Sequence, residues 1–201
     1  MLVEIRPLES SEYDAAAVVL ADAFLDDPGW LAVGPDRRER RYRLLRRFHR
    51  QALDVTDRYG RPIYGAFTED RSLVGIAATF AAGRYPPPEL RTTLRFLPAF
   101  LRAGPGPVAR ALRFSAVQEK GHPHDTHIYL WFLAVDPANQ RGGVGRSLLA
   151  RVYEDARDAD APVYLDTSNP ANVPYYASNG YEEIGKADGP RGAQMWFMRR
   201  P

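Results

Sequence analysis

Leu133-Ala134-Val135-Asp136-Pro137-Ala138-Asn139-Gln140-Arg141-Gly142-Gly143-Val144-Gly145-Arg146 joins an apolar run to an amphipathic one. Upstream, Thr126 to Val135 is an aromatic and aliphatic stretch of strand length, and Asp136-Pro137 ends it. Downstream, Arg146 to Arg157 has the spacing of a helix with one apolar face. Glycines between them allow a tight turn, and main-chain N–H groups at a helix start converge on negative charge. With Arg141 and Arg146 adding cationic side chains, Gln140 to Arg146 is expected to cradle a diphosphate. Two better-known phosphate loops are excluded. A Walker A loop needs Lys then Ser or Thr after its last glycine, and here Arg146-Ser147 follows Gly145. A dinucleotide loop needs a third glycine where Leu148 stands, and no first βαβ unit surrounds it.

Working outward, the chain alternates strands and helices. Leu2 to Arg6 has strand character, and Ser10-Ser11-Glu12 starts a helix carrying Ala16, Val19, Leu20, Ala23 and Phe24 on one face. Asp26-Asp27-Pro28-Gly29 breaks it, which puts Trp30 and Leu31 on a loop able to overhang a pocket. Arg37 to Gln51 is rich in arginine, but Leu44, Leu45, Phe48 and Ala52 mark an amphipathic helix with a solvated face, not a nucleic-acid reader. Pro62 to Thr68 and Ser72 to Ala81 form two strands about the turn Glu69-Asp70-Arg71. Tyr85-Pro86-Pro87-Pro88 is an extended connector into two helices, Glu89 to Arg102 and Pro107 to Lys120. This insertion, about residues 85–120, either walls a substrate pocket or simply packs on the sheet. Beyond the glycine loop come a strand at Pro162 to Thr167, a short helix at Asn172 to Asn179, and closing strands at Tyr181 to Gly185 and Ala193 to Arg199. The expected fold is α/β: about seven strands in one mixed sheet flanked by helices, with the helical insertion before the fourth strand.

Composition narrows the chemistry. The 201 residues suit one domain spanning 1–201, and 27 Lys+Arg against 25 Asp+Glu leave a net charge of +2, too balanced to indicate a nucleic-acid partner. No cysteine is present, which removes disulfides, thiolate metal sites and cysteine nucleophiles. The four histidines lack ligand spacing on a regular element, so no metal is expected. Met1 to Arg6 is no signal segment and no apolar run spans a bilayer, so a cytoplasmic protein without membrane contact is expected.

Gln-x-x-Gly-x-Gly, with Gln140, Gly143 and Gly145 on the pattern after the strand ending Leu133 to Pro137, resembles the GNAT acetyltransferase superfamily. The resemblance implies acetyl-CoA as acetyl donor. Its pyrophosphate would lie on Gln140, Arg141, Gly142, Gly143, Val144, Gly145 and Arg146, and its pantetheine arm along Leu133, Ala134 and Val135. Asn172 to Tyr181 resembles the family segment Asn-x-x-x-Tyr-x-x-x-Gly-aromatic, which implies that Asn172 touches the cofactor and that Tyr176 lies near the thioester sulfur as general acid. His127 to Leu130, Leu165 to Ser168, Tyr175-Tyr176 and Trp196 to Met198 are similar to the puromycin N-acetyltransferase branch. Asp166 departs from that branch, where a longer Glu is usual. The likeness covers Thr126 to Arg200; before it, only the element order and the turn Asp26 to Trp30 correspond.

Direct attack by a neutral amine on a thioester needs a base, an oxyanion donor and an acid for the departing thiolate, and no enzyme nucleophile. A phenol, with an ordinary pKa of about 10, stays protonated at neutral pH, which suits Tyr176 as acid. His127 and Asp166 are the candidate bases; Asp166 can alternatively hold the acceptor's ammonium group. Strand alternation puts His127, Tyr129 and Trp131 on one face. Trp30, Tyr85, Trp131 and Trp196 are candidates to line an apolar pocket for an amine on an aromatic or nucleoside-like body. The expectation is thus an enzyme acetylating a small-molecule amine, with an antibiotic such as puromycin as the acceptor the branch implies, working as monomer or homodimer. A protein or peptide acetyltransferase and a non-catalytic acyl-CoA sensor are the alternatives.

Overall fold

The computed structural model describes residues 2–59, 62–85 and 89–201, of which 89–95 are described as helical backbone alone. The strands are β1 (Glu4–Pro7), β2 (Tyr64–Phe67), β3 (Leu73–Phe80), β4 (Ile128–Val135), β5 (Val163–Thr167), β6 (Glu182–Asp188) and β7 (Gln194–Arg200). They form one sheet of order β1-β2-β3-β4-β5-β7-β6. Only β4 and β5 run parallel among these pairs, so the sheet is mixed, as expected. Around it lie α1 (Tyr13–Phe24), α2 (Pro28–Val33), α3 (Arg38–Tyr59), α4 (Glu89–Ala103), α5 (Pro105–Gly121), α6 (Val144–Asp158) and α7 (Asn172–Ser178).

Apolar side chains on both faces of the sheet dictate three layers. On one face Leu148, Leu149 and Val152 of α6 pack against Ile128, Leu130 and Leu165. On the other, Ala16 and Leu20 of α1 and Leu53 of α3 cover Ile76, Ala78 and Phe132. The apolar stripe of α3 continues through Ala52, Leu53 and Val55, which is why this helix runs to Tyr59 rather than ending near Gln51.

Two irregularities at the centre of the sheet create the site. Ala78 pairs with Phe132 and Thr79 with Leu130, so Trp131 is an extra residue, a bulge in β4. Trp131 and Phe132 therefore turn to the same face, their rings 4.4 Å apart, and the alternation inferred from sequence breaks there. The second irregularity is the short parallel ladder: β4 and β5 are matched only at Ile128–Val163 and Tyr129–Tyr164. Past Tyr129 the strands part, and main-chain groups of β4 from Leu130 onward face a wedge instead of β5.

Trp30 and Leu31 lie on a short helix, not a loop. Asp27 Oδ1 accepts from Gly29 N at 2.9 Å and Trp30 N at 3.4 Å, and Pro28 occupies the first turn, where its missing N–H is no loss. The far end is held by Arg110 of α5, which donates to Val33 O at 3.1 Å and Gly34 O at 2.8 Å. The buried Arg41 donates to Leu25 O and Pro35 O and so ties down both flanks of α2. Helix α6 begins at Val144 because Gly143, in the left-handed region at φ 87°, is its N-cap. The connector residues Pro86, Pro87 and Pro88 lie outside the described residues. Among the described residues no helix is long and apolar enough to cross a membrane.

Candidate active site

A cavity of about 250 Å³ opens where β4 and β5 part. Its inner end is formed by Leu130 and Leu133 of β4, Thr167 at the end of β5, and Asn172 and Tyr176 of α7. Its outer walls come from α2, α3 and the insertion helices α4 and α5. The ring planes of Trp30 and Phe100 are nearly parallel at 10°, with centroids 6.5 Å apart. Phe48 stands across both, 4.9 Å from Trp30 and 5.9 Å from Phe100. Phe96, Phe114 and Trp131 extend this aromatic lining.

Polar side chains interrupt it, Asp166, Asp27 and Tyr176 among them. Asp166, at the end of β5, accepts from the Tyr129 hydroxyl at 2.6 Å and from Gln118 Nε2 at 3.0 Å. Burial raises its pKa, and those two hydrogen bonds oppose the rise. Asp27 enters from the N-terminus of α2. Burial, aided by the Asp166 charge, pushes it up to about 6 against the two main-chain N–H groups it caps. Tyr176 completes the group from α7, and burial raises its pKa too, so its phenol is protonated throughout the physiological range. Asn172 on the same helix donates to Thr167 Oγ1 at 3.3 Å, which fixes α7 to the strand end.

His127 is placed elsewhere. Its Nδ1 lies 2.7 Å from Asp125 O, and its Nε2 lies 2.9 Å from Nε2 of His122. A carbonyl only accepts, so Nδ1 carries the proton; in the neutral pair His122 then donates to His127. Burial lowers both histidine pKa values, His122 to about 4. Tyr85 packs on His122 at 4.4 Å and on Tyr129 at 4.7 Å. His127 and Tyr85 thus stand behind Tyr129, off the cavity wall, whereas Asp166, Tyr176, Trp30 and Trp131 line it together. Trp196, on β7, lies under Lys186 at 4.7 Å, also off the wall.

The glycine loop meets the other end of the wedge. Gln140 Nε2 donates to Val135 O at 3.2 Å, clipping the loop to the end of β4. Arg141 at φ 64° and Gly143 at φ 87° are both left-handed, an alternation that turns successive N–H groups to one side as an anion nest. A Cβ at Gly143 would meet nothing within 4 Å, so there is room in front of the loop. At Gly145 a Cβ would lie 2.8 Å from the Tyr175 hydroxyl, which is buried without a hydrogen-bond partner. Leu133 and Val135 pack toward α6 and Ala134 toward the opposite core, which leaves the main chain of β4 to face a ligand in the wedge. Arg141 and Arg146 are exposed beside the loop. An open nest, a helix N-terminus and an unladdered strand edge leading to Tyr176 fit a diphosphate-linked thioester.

Sequence reasoning did not single out Asp27, Gln118 or Tyr129 as site residues. Asp27 carried a usable signal, since Asp-Pro is a helix N-cap followed by a first-turn proline. Gln118 carried none, because its meaning depends on how α5 folds back. Among the described residues no group of three or more His, Asp or Glu side chains is arranged to hold a metal ion.

Residues 108–183 match the family model described as an acetyltransferase (GNAT) domain. The whole chain also resembles solved acetyltransferase structures at low sequence identity. A structure from Corynebacterium glutamicum, described as histone acetyltransferase HPA2 and related acetyltransferase, superposes with a TM-score of 0.73 at 22% identity, covering 100% of this chain and 97% of its own. The polyamine N-acetyltransferase of Drosophila melanogaster gives 0.68 at 13% identity, covering 98% of each chain. The PaiA N-acetyltransferase of Thermoplasma acidophilum, solved with coenzyme A, gives 0.60 at 14% identity over 100% of this chain and 99% of its own. Residues 108–183 thus match a GNAT acetyltransferase domain, and the chain shares the fold of these solved acetyltransferases from end to end.

Proposed function

We propose that the protein transfers the acetyl group of acetyl-CoA to the primary amine of a small molecule with a planar, apolar body. The observation that carries this is the meeting of Tyr176, Asp27 and Asp166 with the rings of Trp30, Phe48 and Phe100 in one recess at the mouth of the β4/β5 wedge. Acetyl-CoA supplies an acyl thioester. The loop Gln140 to Arg146 holds its diphosphate, and the open main chain at Leu133 to Val135 guides its arm. Aromatic faces and two carboxylates attract an ammonium group, while the rings stack on its body. Asp166, held in place by Tyr129 and Gln118, faces the acceptor's ammonium group. Asp27, whose pKa lies near 6, accepts the proton of the attacking amine. Tyr176 returns a proton to the departing sulfur. This arrangement favours direct transfer over a covalent enzyme intermediate. A cytoplasmic location, where acetyl-CoA is at hand, belongs to the same reading.

Helices α4 and α5 close the recess over its aromatic walls, which favours a small acceptor over a peptide. Thiol release from acetyl-CoA, followed over arylalkylamines, puromycin, aminoglycosides, polyamines and a peptide N-terminus, tests the proposal. Turnover is expected with amines on aromatic bodies, puromycin among them. A preference for the peptide or for polyamines overturns it, and cofactor binding without thiol release for any acceptor identifies a sensor.

Asp27→Asn provides a second check, because Asn caps a helix as well as Asp and keeps α2 in place. In the wild type, activity is expected to rise with pH through about 6 as Asp27 loses its proton. The variant is expected to lose that limb and about 10²-fold or more in kcat/KM. An unchanged pH profile removes Asp27 as the base.

A further inference from the structure

The long helix α3 carries its arginines into a second recess, away from the acyl-transfer cavity. Arg43, Arg46, Arg47 and Arg50 of α3 and Arg102 of α4 surround a hollow of about 440 Å³, with Asp14 of α1 and Gln51 also on its wall. Arg50 is neutralised by Asp14 at 3.0 Å and Asp54 at 2.5 Å. Arg102 donates one N–H to Pro98 O at 3.3 Å, a neutral partner. Arg43, Arg46 and Arg47 have no carboxylate at ion-pair distance among the described residues.

Positions 43, 46 and 47 are three and four residues apart on one helical turn, where like charges repel, and Arg102 adds a fourth cation from across the hollow. A chain with a net charge of only +2 gains nothing in solubility by concentrating uncompensated guanidinium groups around a concavity. Guanidinium forks match the paired oxygens of phosphate groups, and four of them from two helices suit an anion with several charges close together. Among the described residues no aromatic ring lines the hollow to stack a base, and its arginines surround a recess.

We propose that this recess between α1, α3 and α4 binds a compact oligophosphate, free or as the phosphate chain of a nucleotide, separately from the acetyl-CoA loop. Binding draws α3 and α4 together by neutralising their mutual repulsion. Because α3 and α4 also carry Phe48 and Phe100 of the aromatic cavity, the bound anion stiffens that wall.

The test uses the full chain saturated with coenzyme A, so that the glycine loop is already filled, titrated calorimetrically with inorganic tripolyphosphate and, in a second arm, with ATP. One saturable site per chain and a raised Tm are expected in the first arm. Equal affinity for ATP identifies the phosphate chain as the recognised part, and tighter ATP binding identifies a nucleotide. Arg46→Gln/Arg47→Gln is expected to weaken tripolyphosphate at least tenfold with coenzyme A affinity unchanged. Arg40→Gln/Arg58→Gln, on the same helix outside the recess, is expected to leave it as in wild type. Absence of a saturable site, or equal loss in both double variants, overturns the proposal. Tighter binding of a single-stranded RNA, with several chains per strand, overturns it in favour of a nucleic-acid surface. Removing like charges does not threaten folding, so a raised Tm of the unliganded recess variant is an internal control.

Discussion

Tyr176→Phe is expected to lower turnover by about 10²–10⁴-fold while coenzyme A binds nearly as tightly as to the wild type. The phenol sits where α7 meets the open end of the wedge, and its ring is packed against Tyr175 at 5.4 Å and Tyr181 at 5.5 Å. Removing one oxygen leaves that packing intact, so the fold and the ring position survive. What is lost is the proton for the leaving thiolate. A phenol with a raised pKa is a weaker acid than a free tyrosine, and burial raises the proton affinity of the departing thiolate in the same direction, which limits the mismatch between donor and acceptor. In the proposed mode of binding, coenzyme A is held by the loop Gln140 to Arg146 and the main chain of β4, which the substitution does not touch. The measurements are initial rates of thiol release and a coenzyme A titration. Equal rates would remove the acid role; a rate loss matched by an equal loss of coenzyme A affinity would make Tyr176 a binding residue instead.

The difference between what could and could not be read from sequence follows the range of the interactions. Gln140 to Arg146 was legible because a strand, a glycine turn and a helix start are contiguous, and the geometry of an anion nest is local. Its start was misplaced by two residues, since Gly143 caps the helix that Arg146 was expected to open. The seven strands were legible from periodicity, but the order β5-β7-β6 was not, because the β6–β7 hairpin enters the sheet with its second strand. The bulge at Trp131 left no mark in the apolar run from Ile128 to Val135, where every residue is hydrophobic whichever face it takes. That bulge turns Trp131 and Phe132 to the same face. Asp27 was hidden in a turn signal, and its chemistry arises from residues far along the chain that bury it. His127 looked well placed beside a strand, yet a second histidine five residues earlier holds it off the cavity. Local order was readable, and the partners brought in by the insertion were not.

His49→Leu is expected to abolish most of the protein's acid sensitivity between pH 6.5 and 3. His49 is fully buried in α3. Its ring is wedged between Phe132 at 5.2 Å, Phe24 and Phe48 at 5.4 Å, and Trp30 at 5.6 Å. Neither ring nitrogen has a hydrogen bond of good geometry, and only the Leu45 carbonyl one turn back opposes the cost of desolvating a charged imidazole. Burial therefore drives its pKa from 6.5 to about 3. The folded state binds fewer protons than the unfolded chain across that interval, so the stabilisation is present above pH 6.5 and is lost as pH falls toward 3. At about 1.4 kcal/mol per pH unit the loss is on the order of 5 kcal/mol, a large share of the roughly 5–15 kcal/mol typical of a domain. Asp27 works the other way. Its pKa is raised from 3.8 to about 6, so its contribution is present below 3.8 and fades as pH rises through 6, which masks part of the His49 effect in the wild type. Comparing denaturant midpoints of wild type and His49→Leu at each pH cancels that common term. The difference should grow steadily from pH 6.5 downward, with the variant gaining on the wild type. A constant difference would mean that His49 is reached by solvent or finds a partner when charged. Because the same ring touches Trp30 and Phe48, acid would loosen the wall of the acceptor cavity before it unfolds the sheet, so aromatic-amine turnover in the wild type should fall ahead of global stability.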